Sequence, residues 1–216
     1  MQRMISASFA SSSNMVLSMG KFVHENTSAR RLYICRLIHS REDMGGLKEE
    51  LSRLTKEKIG RLAYERRVRL VEEFWYRLER FVREMDIRNI KIYQDGLPAI
   101  DEQVDNIVEQ TARKGSRNYK LLKDLKERGG VIVGTEDPEL LKKEYELLKL
   151  VVESSSSGMD QHRSSLKELL IQRDKFIAKR IDETLYKGER GLLFIGAMHR
   201  VENYLPRDIE FRTIHI

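Results

Sequence analysis

Residues 191–200 read GLLFIGAMHR, and the fold turns on how that run is read. Leu192, Leu193, Phe194 and Ile195 follow one another without a polar break, between Gly191 and Gly196. The run is too short for a buried helix. A continuous apolar stretch of this length, bounded by glycines, fits a strand covered on both faces. It stops abruptly, and His199 and Arg200 arrive together just past its end.

Four further stretches belong with it. RRLYICRLIH (30–39) is apolar apart from its arginines, IRNIKIYQDG (87–96) closes on Gln94-Asp95-Gly96, and VIVGTED (131–137) is compact and β-branched. RDIEFRTIHI (207–216) alternates, as an edge strand does. Helical segments lie between them. Residues 47–85 place Val71, Phe74, Trp75, Leu78 and Val82 on one stripe and read as one helix. Pro98 is expected to begin a helix over about 100–113, and a second helix, 119–128, stops at Gly129-Gly130. Asp137 and Pro138 open another that runs to Glu153, and 160–187 forms a last long one. Strands alternating with helices imply βαβ units. The expected fold is therefore α/β, three-layered, with a mainly parallel sheet of about five strands and helices on both faces.

Residues 1–29 are Ser-rich and unpatterned and are expected to form a flexible tail, leaving 30–216 as a single domain. The lone cysteine, Cys35, permits no disulfide within the chain, and a cytoplasmic location is expected. No segment approaches the roughly 18 apolar residues of a membrane span. There are 40 basic and 34 acidic residues, a net charge of +6. The basic residues are spread among acids with no aromatic-laced patch, which ranks a nucleic-acid partner below a small-molecule or peptide substrate.

Open parallel sheets bind ligands at the carboxyl ends of their strands. There the first strand delivers His39, the second Gln94 and Asp95, the third Thr135, Glu136 and Asp137, and the fourth Gly196 and His199. Imidazole with carboxylate is a ligand set for zinc, manganese or iron, and equally a general acid–base pair. The candidate catalytic residues are His39, His199, Glu136 and Asp95, and His39, His199 and Glu136 are the candidate metal ligands. Cys35, inside a strand, reads as packed and not as a nucleophile.

The fragments LFIGAMH and LYICRLIHS resemble the Gly-x-x-His motifs of the superfamily of TraB/Tiki-like, erythromycin-esterase-like and ChaN-like proteins. QRDKFIAKRIDETL (172–185) resembles that group's Arg-Asp helix, and VIVGTEDPELLKKEYELL is similar to its central strand and helix. The resemblance implies metal-dependent peptidase- or esterase-like hydrolysis in some branches and haem or iron handling in another. It carries His39 and His199 over as the reactive histidines, with Arg173 and Asp174 orienting them. Two departures stand out. Arg36 occupies the first motif's glycine, where it would crowd the pocket or bind an anion, and Gln94-Asp95 stands where a glutamate often ends the second strand. Three functions follow as expectations: a hydrolase using metal-bound or histidine-activated water, a catalytically degenerate binding or regulatory protein, and a basic nucleic-acid-binding module.

Overall fold

Residues 190–196 do form a strand, and its side chains point alternately into two apolar layers. Leu192 and Phe194 enter one cluster, and Leu193 and Ile195 enter the other. The computed structural model describes residues 28–38, 46–153 and 162–216. Its strands are β1 (Arg30–Leu37), β2 (Lys91–Pro98), β3 (Val131–Glu136), β4 (Arg190–Gly196) and β5 (Ile209–Ile214). They lie in the order β3-β2-β4-β1-β5, and every pairing is parallel. The alternating β5 takes an edge, with one buried residue, Ile209. The proposed tail falls outside the described residues up to position 27.

The helices divide between the faces. From α2 (Arg61–Glu84), Phe74, Trp75, Leu78 and Val82 pack on one face with α3 (Val104–Arg113) and α4 (Arg117–Glu127). On the other face Ile177, Ala178 and Ile181 of α6 (Arg163–Thr184) cover Leu32, Ile34, Tyr93 and Leu193. Two helices have side-chain caps, of which Asp137 is the one expected. Ser116 accepts from the Tyr119 amide at 3.3 Å before α4, and Asp137 accepts from the Glu139 amide at 2.7 Å before α5 (Pro138–Glu153).

Two elements depart from expectation. The single helix over 47–85 is two, because Gly60 sits at φ 81° and ψ 160° and breaks the ladder between α1 (Lys48–Ile59) and α2. Strand β2 does not close at Gln94-Asp95-Gly96. It continues to Pro98 with a register shift, and Gly96 takes φ 73° inside it. Pro98 therefore ends a strand instead of beginning a helix, and a 3-10 turn at Asp101–Gln103 leads into α3.

The irregular end of β2 rests on β3. A Cβ added at Gly134 would lie 2.8 Å from Ala99 Cα and closer still to the Pro98 carbonyl oxygen, both backbone. Gly134→Ala is therefore expected to cost about 1–3 kcal/mol, because neither neighbour is a side chain that can swing away. A urea titration in which the variant keeps the wild-type midpoint would contradict this.

From β2 the chain steps outward to β3, and from β4 it steps the opposite way, past β1, to β5. The connections thus diverge between the carboxyl ends of β2 and β4. This is where an open parallel sheet leaves a crevice.

Candidate functional site

The divergence point is bridged by a hydrogen bond. The backbone amide of Gly196, at the end of β4, donates to Asp95 Oδ2 on β2 at 2.6 Å. A tight turn follows, closed by the His199 amide to the Gly196 carbonyl at 3.2 Å, and it swings the His199 ring back over the strand end. There the ring meets α6. Its Nδ1 lies 2.6 Å from Asp174 Oδ1, and the Arg200 amide donates to Asp174 Oδ2 at 2.8 Å. The other nitrogen, Nε2, faces Asp95 Oδ2 at 3.8 Å. His199 is 4% exposed and Asp174 2%, so their contact is shielded from water. In such a setting a charge-assisted hydrogen bond is stronger than at a surface. Gln94 donates to Asp95 Oδ1 at 2.7 Å and steadies that carboxylate from its own strand.

A second ionic cluster lies one residue along. Arg173 grips Glu136 at the end of β3 with two hydrogen bonds, Nη2 to Oε1 at 2.6 Å and Nε to Oε2 at 3.1 Å. Its Nη1 reaches Glu144 on α5. Glu136 Oε1 also accepts from the Gly96 amide at 3.2 Å. Burial works against the charge of Arg173, but the hydrogen bond and charge of Glu136, with the charge of Glu144, outweigh it and hold the guanidinium firmly protonated. Burial pushes the Glu144 carboxyl above its usual range even though Arg173 pulls it down. Adjacent residues of one helix therefore tie down two strand ends: Arg173 holds β3, and Asp174 holds the turn after β4.

His199, Asp95 and Asp174 are brought together. Glu136 is near them in the fold but is committed to Arg173. Arg36 is engaged within the chain: it donates to the His199 carbonyl at 2.8 Å and to Glu202 Oε2 at 2.6 Å, bracing the loop that carries the histidine. Cys35 is buried, and burial alone pushes its thiol up to about 12, which removes it as a nucleophile. His39 lies outside the described residues. Its strand, β1, lies beside β4 with Leu37 level with Gly196. Sequence reasoning passed over Glu144, Glu202 and the Gly96 amide. None sits in a pattern that marks it, because each gains its role only from a strand or helix distant in the chain.

The described donors do not assemble a metal centre. Both oxygens of Glu136 are engaged by Arg173, and Asp95 Oδ2, which faces His199 Nε2, accepts from the Gly196 amide. Among the described residues no three His, Cys, Asp or Glu side chains gather as a ligand set. Comparison of the chain with protein-family models, curated proteins and solved structures finds no match. No described helix is long and apolar enough to cross a membrane.

Proposed function

We propose that the protein is a hydrolase for a small ester- or peptide-like substrate, in which His199 activates water at the crevice between β2 and β4. The observation that carries this reading is the buried 2.6 Å contact between His199 Nδ1 and Asp174. A carboxylate there holds the imidazole in the tautomer whose Nε2 lone pair is free, and it stabilises the imidazolium once a proton has been taken. The 3.8 Å gap between Nε2 and Asp95 Oδ2 is short enough for one water to touch both at about 2.8 Å. His199 takes one proton from that water as it attacks the acyl carbon, and Asp95 orients the water by accepting from the other. The imidazolium then returns its proton to the leaving oxygen or nitrogen. The resemblance to the TraB/Tiki-like and erythromycin-esterase-like group supports hydrolysis as the reaction class, although it implies a metal-dependent form of it. Each step uses a described side chain, and none of them needs a metal.

The test is turnover of p-nitrophenyl acetate and of aminoacyl p-nitroanilides. Wild type is expected to hydrolyse at least one class, and His199→Ala to lose that activity. Equal turnover by wild type and His199→Ala would overturn the reading, as would inertness of the wild type towards both classes. Exhaustive chelation is expected to leave the rate unchanged. A rate lost on chelation and restored by zinc or manganese would transfer the water activation to a metal.

A further inference from the structure

Among the described residues two buried side-chain atoms lack a hydrogen-bond partner, Gln94 Oε1 and Asn118 Oδ1. Asn118 belongs to α4. Gln94 belongs to the crevice: it closes the regular pairing of β2 with β4, level with Phe194, and it is fully buried. Its amide cannot be turned round. The NH2 group donates to two acceptors, the Asp95 carbonyl at 2.9 Å and Asp95 Oδ1 at 2.7 Å. Reversal would set an oxygen against both of them. Oε1 is therefore the atom left over, and a buried acceptor without a donor is costly to keep. The donors around it are committed elsewhere. Thr135 gives its hydroxyl to the Gln94 carbonyl, the Gly96 amide goes to Glu136 Oε1, and the Gly196 amide goes to Asp95 Oδ2. A structural water at Oε1 would itself need two to four polar partners, and these three donors are spent.

We infer that Gln94 Oε1 accepts a hydrogen bond from the substrate, which carries an N–H or O–H donor beside its acyl carbon. The inference rests on the hydrolytic reading of the crevice. The oxygen and nitrogen of an amide lie about 2.2 Å apart, so Oε1 is within about 5 Å of Asp95 Oδ1. The water proposed between Asp95 Oδ2 and His199 is then at most about 10 Å from Oε1. Attack brings the acyl carbon to about 3 Å from that water, and a hydrogen bond to Oε1 spans about 3 Å more. At most about 4 Å remains between the acyl carbon and the donor, the span of two or three bonds. A donor on the α-carbon fits: the N–H of an α-acylamino acid or the hydroxyl of an α-hydroxy acid. A plain fatty-acyl ester has neither, and would leave Oε1 unpaired through the transition state. Gln94 thus has a different duty at each end of its amide. The NH2 steadies Asp95, and the oxygen selects the substrate.

The test is kcat/KM for p-nitrophenyl esters in two matched pairs, corrected for spontaneous hydrolysis: N-acetylglycine against acetoxyacetate, and lactate against isobutyrate. Within each pair the donor is replaced by a group of similar size that cannot donate. Wild type is expected to favour the donor-bearing member of at least one pair by about 5- to 150-fold, and that pair names the donor as N–H or O–H. Gln94→Met removes the acceptor at similar volume and is expected to bring the ratio close to one. Loss of support for Asp95 slows both members alike, so the ratio isolates the contact with substrate. An unchanged ratio in folded Gln94→Met would overturn the inference. If that variant does not fold, the wild-type ratios decide alone. Equal turnover within both pairs by wild type would also overturn it, assigning Oε1 to a buried water while leaving the hydrolytic reading intact. Inertness of wild type towards all four esters would overturn that reading and this inference together.

Discussion

Asp174→Asn is expected to lower turnover by about two to four orders of magnitude while leaving the fold and the substrate affinity close to wild type. The reason lies in which end of the amide faces the ring. Asp174 now accepts on both oxygens, from the Arg200 amide at one and from His199 at the other. Arg200 can only donate, so an asparagine must turn its carbonyl oxygen to Arg200. Its NH2 then faces His199 Nδ1, which becomes an acceptor, and the ring proton moves to Nε2. A protonated Nε2 has no lone pair with which to take a proton from water. The loss should therefore fall on kcat, with KM almost unchanged, because Asp174 reaches the substrate only through the ring. Turnover within a few-fold of wild type would show that His199 acts by some other route. A matching loss in thermal stability would instead mark the pair as structural.

How much of this was legible beforehand depended on whether the signal was local. The strands were readable because both faces of a parallel sheet are covered, so 191–196 is apolar without a break and 32–37 is apolar but for Arg36. Gly60 was passed over because helix-forming residues surround it on both sides, and only its φ of 81° breaks the ladder. The close of β2 was misread for the opposite reason. Gln94-Asp95-Gly96 has turn composition, but its strand is pinned by neighbours far away in sequence, the Gly196 amide on Asp95 and the Pro98 pairing with Glu136. The site residues on α6 carried a weaker local signal. Leu169, Arg173, Ile177 and Ile181 occupy one buried stripe, and a charged residue in an apolar stripe marks a place where packing alone does not decide the residue. Resemblance to the Arg-Asp helix pointed to the same two positions. What no local pattern conveyed was the division of labour, with Arg173 turned to Glu136 and Asp174 to His199.

That division makes Arg173→Met the most destabilising single change expected in the described residues. Glu136 is fully buried, and two of its three hydrogen bonds come from Arg173. Methionine replaces much of the volume but strands a carboxylate away from water, with only the Gly96 amide left to it. Removing one partner of a buried ion pair costs about 3–5 kcal/mol, most of it the penalty of the charge left behind. For a chain of this size that corresponds to a fall in Tm of roughly 6–20 °C. Two further measurements separate this cause from simple loss of packing. The deficit should shrink in acid, where the stranded carboxyl takes up a proton and no longer buries a charge. The double variant Arg173→Met, Glu136→Leu should recover most of the loss, because it removes the unpaired charge as well as its partner. The β3 end would then be held by apolar contact alone. If the double variant is no more stable than the single one, the ion pair acts chiefly by fixing the position of α6. Asp174 would then shift with it, and even the recovered protein would show a misplaced His199 and lowered turnover.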